Sequence, residues 1–215
     1  MKLYSFFQSS ASYRVRIALN LKGLAPEMVP VNLVAAAQRD AAYAAVNPQM
    51  LVPSLDVGGD VITQSIGIME YLEETQPNPP LLPKDPIARA HVRAFALAIA
   101  TDISPLGNLK IRKYLTTDFG VPEEEVKVKW LQHWIADGLT ALEKLLVASP
   151  HTGTYCFGET PTMADCCLIP QVFVARRFEV DLTPYPTIAR IAATCEAHPA
   201  FAAAHPSKQA DAPKN

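Results

Sequence analysis

A proline-dense segment from Gln76 to Pro86 divides the sequence into two parts with different hydrophobic patterns. Prolines at this density cannot continue a helix or occupy a central strand, because proline lacks a backbone donor and has a fixed φ. Strand and helix patterns alternate before the segment, whereas after Pro86 nearly every apolar pattern has helical spacing. The sequence therefore predicts a mixed α/β domain over residues 1–83, a stiff linker, and an all-helical domain over residues 87–215.

The first part alternates strands and helices in the order β-α-β-α-β-β-α. The patterns predict strands at about 2–6, 28–31, 55–57 and 61–63 and helices at about 12–22, 38–46 and 66–75. Pro30 cannot donate to a ladder, so the second strand should lie at a sheet edge. Gly58 and Gly59 favour a tight hairpin between the last two strands. This order is that of a thioredoxin-like domain, in which the first two strands pair in parallel through a right-handed crossover.

The second part is predicted to be a series of helices. Their expected bounds are 87–116 with an interruption at 104–107, then 123–148, then a helix that opens at 162–165, and a last helix that ends near 198. Thr162 and Asp165 have the spacing of an N-terminal capping box. The tail from Pro206 is polar, and we expect it to be frayed.

Composition and charge exclude several kinds of partner. The net charge of −2 over 215 residues lacks the basic balance of a nucleic-acid-binding domain. The chain has no apolar stretch long enough to span a bilayer and no hydrophobic leader, so we expect a cytoplasmic protein without a membrane partner. Its four cysteines and five histidines have neither the spacing of a disulfide framework nor that of a metal site. We therefore expect reduced thiols and no bound metal.

A serine-rich segment lies between the first strand and the first helix. Ser9, Ser10 and Ser12 stand at the start of an apolar run with helical spacing. The free N–H groups and the positive dipole end of a helix N-terminus favour an anion, and they lower the pKa of a thiol. This segment has no cysteine, so a thiolate there must come from a ligand. Ordinary N-capping by serine is the alternative interpretation of the same residues.

Motifs along nearly the whole chain resemble the zeta class of the soluble glutathione S-transferases. The longest runs from Ser9 to Leu19, where S-S-A-S-Y-R-V-R-I-A-L is similar to the family's S-S-C-S-W-R-V-R-I-A-L. The others are Asn47-Pro48, Val52-Pro53, Gln64-Ser65, Tyr71-Leu72-Glu73-Glu74, Pro105 with Asn108, Thr162-Met163-Ala164-Asp165, Pro170-Gln171-Val172 and Val180-Asp181-Leu182-Thr183-Pro184-Tyr185-Pro186. The resemblance implies a thioredoxin-like glutathione-binding domain, an all-α substrate-binding domain and a homodimer.

The resemblance also implies a glutathione site in the first domain. The implied catalytic residues are Ser9, Ser10, Ser12 and Arg14, and the implied glutathione-binding residues are Ser9, Ser10, Gln38, Val52, Pro53, Gln64, Ser65 and Asn108. Pro53 would be a cis-proline that turns the backbone of Val52 toward the cysteinyl part of glutathione. The Ser65 hydroxyl and neighbouring helix N–H groups would bind the γ-glutamyl carboxylate, with plain N-capping as the alternative.

The implied substrate-binding residues differ in part from the family pattern. They are Gln8, Ala11, Ser104, Asn108, Lys110 and Arg176. Gln8 and Ala11 stand where the family has arginine and cysteine, and Lys110 and Ser104 stand where maleylpyruvate isomerases have arginine and histidine. Lys110 and Arg176 are the cations expected to hold a dicarboxylate substrate, and a solvated helix face is the alternative for both.

The activity that the resemblance implies is glutathione-dependent cis–trans isomerisation of a dicarboxylic keto acid. In that reaction the thiolate adds next to a cis double bond, rotation follows, and elimination regenerates the thiolate. Maleylacetoacetate is the first expected substrate, and maleylpyruvate is the alternative. A zeta-class transferase acting on α-halo acids and a non-catalytic glutathione-fold binding protein are the other hypotheses. Retention of the serine and Val52-Pro53 motifs argues against the last, because a scaffold needs no intact thiol site.

Overall fold

The computed structural model describes residues 1–213, which form two compact units. The first unit comprises residues 1–82 together with the chain from Ala197 onward, and the second comprises residues 83–196. The C-terminal segment therefore packs with the N-terminal unit, whereas the sequence analysis placed it in the helical domain. One cause is a long-range hydrogen bond, in which Asn20 Nδ2 donates to Ala200 O at 2.9 Å.

The helices and strands follow the predicted order, with additional short turns and one further helix, Pro199–Ala204, after the helix predicted to be the last. In chain order they are β1 (Lys2–Ser5), α1 (Ser10–Leu21), β2 (Glu27–Pro30), a 3₁₀ turn (Ala37–Arg39), α2 (Ala41–Val46), β3 (Ser54–Val57), β4 (Asp60–Thr63), α3 (Ser65–Thr75), α4 (Pro86–Leu97), a π-helical turn (Ala98–Ile103), a 3₁₀ turn (Ser104–Gly107), α5 (Leu109–Thr117), the single turn α6 (Glu123–Glu125), a second π-helical turn (Val126–Leu131), α7 (Gln132–Ala148), α8 (Met163–Arg177), α9 (Pro186–Ala197), α10 (Pro199–Ala204) and a 3₁₀ turn (Pro206–Lys208).

The strands of the first unit form one mixed sheet with the order β2-β1-β3-β4. β1 and β2 are parallel, with Leu3 beside Met28, and β3 is antiparallel to both β1 and β4. Pro30 lies in the edge strand β2, as its missing donor requires. Gly58 and Gly59 form the tight turn between β3 and β4 with φ of +74° and +107°, values that glycine adopts without a Cβ penalty. The predicted thioredoxin-like topology is confirmed.

A buried ion pair ties the proline-rich segment to the first unit. Lys22 Nζ lies 2.8 Å from Glu73 Oε2 and also donates to the carbonyls of Gln76 and Pro79 at 2.6 and 3.1 Å. The same Glu73 oxygen accepts the N–H of Leu81 at 2.9 Å. Since both charges have additional hydrogen-bond partners, their desolvation is offset and the segment is fixed in place.

Two π-helical turns interrupt the long helices of the second unit. The first, Ala98–Ile103, lies between α4 and the predicted interruption at Ser104–Gly107. Ile103 packs so tightly against Gly138 of α7 that a Cβ at Gly138 would lie 2.5 Å from its side chain. π-helical turns are rare and often occur at functional sites. None of the helices within residues 1–213 is long and apolar enough to cross a membrane.

The predicted capping box at the start of α8 is present. Asp165 Oδ2 accepts the N–H of Thr162 at 2.7 Å and its hydroxyl at 2.9 Å. Asp165 Oδ1 accepts the N–H of Cys156 at 2.8 Å, so the carboxylate also holds a distant loop. Burial raises the pKa of Asp165, although these hydrogen bonds act in the opposite direction.

The prediction of a frayed tail from Pro206 is wrong over residues 206–213, and its last part, residues 214–215, lies outside the described residues. The chain forms a 3₁₀ turn over Pro206–Lys208, and Gln209 Nε2 then donates to the carbonyls of Ala203 and His205 at 3.1 and 3.0 Å. The polar residues of this tail bond back to the end of α10, a contact that composition does not reveal.

Candidate active site

The predicted thiol-activating serines lie at the N-terminus of α1. Ser9 is the N-cap: its N–H donates to Phe6 O at 3.0 Å, and its Oγ accepts the N–H of Ser12 at 3.2 Å. Ser10 is the first residue of the helix, and both serines are half-buried, as are their neighbours Gln8 and Ala11. Because Ser9 Oγ already accepts a hydrogen bond, its own hydrogen can be donated to a ligand. The capping interpretation is therefore correct for Ser9 and compatible with contact to a thiolate.

The other two candidates for catalysis, Ser12 and Arg14, are buried inside the first unit. Ser12 is fully buried, and its hydroxyl has no hydrogen-bond partner within the described part of the chain. Arg14 is 3% exposed, and its Nη1 donates to Ser65 Oγ at 3.2 Å. Arg14 is therefore buried, and it contacts Ser65, another predicted site residue.

The N-terminus of α3 is a second candidate anion site. Ser65 is the first residue of the helix and 5% exposed, and its Oγ accepts from Arg14, so its hydrogen can also be donated. Gln64, which precedes it, has a φ of +66°. A non-glycine residue rarely adopts this conformation, and such backbone strain is concentrated at functional sites. Gln64 Nε2 donates to Gln49 Oε1 at 2.9 Å, which joins α3 to the loop before Val52.

The Val52–Pro53 peptide bond is cis, as the resemblance implied for Pro53. The Val52 side chain is buried in a cluster with Phe6, Val31 and Tyr43. Gln38 lies apart from this loop, in the 3₁₀ turn before α2. Its buried Oε1 has no hydrogen-bond partner among residues 1–213. Buried polar atoms are normally satisfied, so this oxygen fits a site that is completed by a ligand donor.

In the second unit, Asn108 forms a local hydrogen bond and Ser104 forms a long-range one. Asn108 is the N-cap of α5, and its Oδ1 accepts the N–H of Lys110 at 3.1 Å. Lys110 is exposed. Ser104 Oγ donates to Gln171 Oε1 at 3.1 Å, and the buried Nε2 of Gln171 has no hydrogen-bond partner within residues 1–213. Gln171 belongs to one of the motifs but was not among the predicted site residues.

The predicted substrate cation Arg176 forms an exposed ion pair with Glu196. The next residue, Arg177, instead faces Phe178 of the same chain segment, with its guanidinium carbon 5.3 Å from the ring centroid. Arg112 of α5 lies at the same distance of 5.3 Å from that ring. Two arginines therefore share one aromatic ring, an arrangement of the cation–π type.

The Arg112–Arg177 pair is only partly neutralised by the protein. Neither guanidinium has an ion-pair partner within the described part of the chain, and Arg112 Nε is buried without a hydrogen-bond acceptor. Burial lowers the pKa of both arginines, Arg177 lowers that of Arg112 further, and Glu123 offsets only part of this shift. Arg177 is exposed and Arg112 is half-buried, so an anion placed here would chiefly relieve the desolvation of Arg112 and the mutual repulsion. The sequence analysis did not propose this pair. Arg176 and Arg177 are adjacent in the sequence, so either could have been named as the candidate cation.

The cysteines do not add a nucleophile to either unit. All four, Cys156, Cys166, Cys167 and Cys195, are buried free thiols. Burial raises the pKa of Cys156 and Cys166 well above its usual range, which disfavours thiolate formation. Within residues 1–213 no group of histidine, cysteine, aspartate and glutamate side chains could hold a metal ion.

Comparison with known proteins gives two family matches and close relatives along the whole chain. Residues 3–80 match the N-terminal domain of glutathione S-transferases, and residues 130–206 match their C-terminal domain. A maleylacetoacetate isomerase from Rhizobium meliloti is 48% identical over 96% of both chains. A solved maleylpyruvate isomerase, described as a bacterial zeta-class glutathione S-transferase, is 48% identical with a TM-score of 0.97, covering 99% of this chain and 100% of that one.

A second solved structure carries ligands. It is a maleylacetoacetate isomerase from Methylobacterium extorquens AM1 with bound malonate and glutathione, 40% identical with a TM-score of 0.96, and the match covers 100% of both chains. The two domain matches, the identity over nearly the full length and the confirmed thioredoxin-like topology agree with one another. This chain belongs to the zeta class of the glutathione S-transferase family.

Proposed function

We propose that this chain is a glutathione-dependent cis–trans isomerase whose substrate is a dicarboxylic keto acid, with maleylacetoacetate as the first candidate. The observation that carries the proposal concerns Ser9 and Ser65, the hydroxyls at the N-termini of α1 and α3. Each accepts a hydrogen bond from the protein and keeps a hydrogen to donate. One helix terminus can thus stabilise a thiolate while the other binds a carboxylate, the two anionic groups needed at opposite parts of glutathione.

We assign each part of glutathione to residues of the first unit. Ser9 and Ser10 would donate to the sulfur, and Ser65 and the first N–H groups of α3 would bind the γ-glutamyl carboxylate. The buried Oε1 of Gln38 would accept the amide N–H of the glycyl residue. The Val52 backbone before the cis-proline would pair with the cysteinyl residue, as an added strand does. When bound, glutathione supplies the thiolate nucleophile that this chain lacks.

The second unit would bind the carboxylates of the substrate. Arg112 and Arg177 replace Arg176 as the proposed cations, because Arg176 is already paired with Glu196. Lys110 is an exposed additional cation on the same helix as Arg112. Fixed cations are the groups that stabilise negative charge developing on a keto acid. Malonate, bound with glutathione in the relative from Methylobacterium extorquens, is likewise a dicarboxylate.

A direct assay tests the proposal. Purified protein is incubated with maleylacetoacetate and, separately, with maleylpyruvate, with and without glutathione. We expect isomerisation that requires glutathione but does not consume it. Consumption of glutathione with an α-halo acid and no isomerisation would favour the transferase alternative. Glutathione binding without any turnover would favour a binding protein.

Maleylpyruvate is a second candidate substrate because of the comparisons. The maleylpyruvate isomerase of known structure and the Rhizobium maleylacetoacetate isomerase are both 48% identical to this chain. Overall similarity therefore does not rank the two substrates. Ser104 and Lys110 favour maleylacetoacetate, since a hydroxyl and a point charge replace the histidine and the bidentate arginine of maleylpyruvate isomerases. The ratio of kcat/KM for the two substrates decides between them.

We also propose a cytoplasmic homodimer. Membership of the family supports the dimer, and the four free cysteines are consistent with a reducing compartment. Sedimentation at micromolar concentration tests the assembly. A single species near 23.4 kDa, the mass of one chain, would contradict it.

A further inference from the structure

The turn from Phe6 to Ser9 leads into α1, and Arg16 binds two backbone carbonyl groups of this turn. Arg16 is 4% exposed, and its Nη1 and Nη2 donate to Phe6 O and Phe7 O at 3.4 and 2.9 Å. Its Nε donates to Ala204 O at 3.1 Å, so the same guanidinium also binds the end of α10. Because the donors of a guanidinium have a rigid geometry, these contacts restrict the carbonyl groups of the turn.

The C-terminal tail binds a backbone N–H group of the same turn. The N–H of Phe7 donates to Asp211 Oδ2 at 2.9 Å, between residues 204 positions apart. Asp211 follows the 3₁₀ turn Pro206–Lys208, which Gln209 ties to α10. The carboxylate also acts on Arg16, where it offsets part of the fall in pKa that burial causes. The tail therefore supplies an acceptor and a charge next to the entry of α1.

Ser9 and Ser10 follow Phe7 by two and three residues, so the direction of their hydroxyls depends on where the Phe7 backbone is fixed. We propose that Asp211 is a positioning residue for these serines, acting through the Phe7 amide. The inference rests on the proposed function, because it takes Ser9 and Ser10 as the donors to the glutathione thiolate. Asp211 was not among the predicted site residues, so the inference gives the C-terminal tail a new role in the reaction.

Two variants separate the hydrogen bond from the charge of Asp211. Asp211→Asn keeps an acceptor oxygen and removes the negative charge, whereas Asp211→Ala removes both. A nearby negative charge raises the pKa of a thiol, so a purely electrostatic role predicts easier ionisation in both variants. Positioning predicts impaired ionisation in Asp211→Ala alone. Lys208→Ala, at an exposed position in the same tail, is the matched control.

The experiment uses the full chain saturated with glutathione. Thiolate absorbance is followed against pH, and isomerisation is measured at steady state. For Asp211→Ala we expect ionisation at higher pH and a kcat lower by about tenfold, the effect of losing one hydrogen bond, with the KM for glutathione little changed. Asp211→Asn and Lys208→Ala should remain close to the wild type.

Three results would overturn the inference. The first is a thiol ionisation in Asp211→Ala that matches the wild type, including the case in which only its thermal stability falls. The second is equal behaviour of Asp211→Asn and Asp211→Ala, which would assign the effect to charge. The third is a wild-type chain that does not ionise glutathione. That result alone would also remove the proposed function, so the two failures are distinguishable.

Discussion

Arg14 Nη1 donates a hydrogen bond to Ser65 Oγ at 3.2 Å, which joins the interior of α1 to the first residue of α3. Both residues are buried, with exposed fractions of 3% and 5%. The bond occupies a lone pair of the serine oxygen and directs its hydrogen toward another acceptor. It also places a buried positive charge beside a helix N-terminus, and both features favour a carboxylate.

Ser65→Ala should weaken glutathione binding by about 1.5–3 kcal/mol, the range for a hydrogen bond to a charged group. The variant removes the proposed donor to the γ-glutamyl carboxylate and leaves Arg14 without this acceptor. Calorimetric titration with glutathione measures the change. Ser149→Ala, at the end of α7 in the other unit, is the control and should bind as the wild type does. An unchanged affinity in Ser65→Ala would remove Ser65 from the site.

Ser9→Ala and Ser10→Ala should differ in stability. Ser9 caps α1, so its loss should lower the free energy of unfolding by about 1 kcal/mol, whereas loss of Ser10 should leave it nearly unchanged. At least one of the variants should raise the pKa of bound glutathione, because a hydroxyl that donates to the thiolate is lost. Urea unfolding and thiolate absorbance against pH measure the two effects. Wild-type ionisation in both variants would assign the pKa shift to the helix terminus alone.

Arg177→Ala should impair a diacid substrate selectively. Removing one of the two only partly neutralised guanidiniums should lower kcat/KM for the diacid by about 1.5–3 kcal/mol in transition-state stabilisation, while a neutral electrophile should be little affected. Arg176→Ala is the matched control, since it breaks only an exposed ion pair with Glu196. If Arg176→Ala shows the larger selective loss, the original prediction of Arg176 as the substrate cation is right and the proposed pair is wrong.

Asp165→Ala should destabilise the second unit far more than an exposed cap would. The change leaves the Thr162 N–H and hydroxyl and the Cys156 N–H without their acceptor in the interior, at a cost of about 3 kcal/mol or more. Asp85→Ala removes an exposed N-cap from α4 and should cost about 1 kcal/mol. Chemical unfolding of the two variants gives the comparison. Equal costs would show that the buried hydrogen bonds of Asp165 stabilise the protein no more than an exposed N-cap does.

Local chemistry made much of the fold predictable. Pro30 could only lie at a sheet edge, Gly58 and Gly59 could form a tight turn, and Thr162 with Asp165 had the spacing of a capping box. Each of these features depends on groups within a few residues of one another, and each is confirmed. The π-helical turn at Ala98–Ile103 was not predicted, and its last residue, Ile103, packs against Gly138, a contact between residues distant in sequence.

The candidate site was predicted less completely than the fold. The helix starts at Ser9 and Ser65 and the cis peptide bond before Pro53 agree with the sequence analysis, since these depend on local groups and a motif, whereas the roles of these residues in the site stay predictions. The sequence did not show that Arg176 pairs with Glu196 while Arg177 faces Phe178. One residue along a helix turns a side chain by about 100°, so packing decides which of two neighbouring arginines meets an acidic side chain.

The sequence by itself therefore determined the strands, the helix starts, the division by the proline-rich segment and the membership of a glutathione-dependent family. Only the tertiary structure decided that Arg14 meets Ser65 and that Asp211 meets Phe7. These partners lie 51 and 204 residues apart, and side-chain hydrogen bonds act over about 3 Å. A contact of that range is set by how the elements pack, and no local pattern along the chain encodes it.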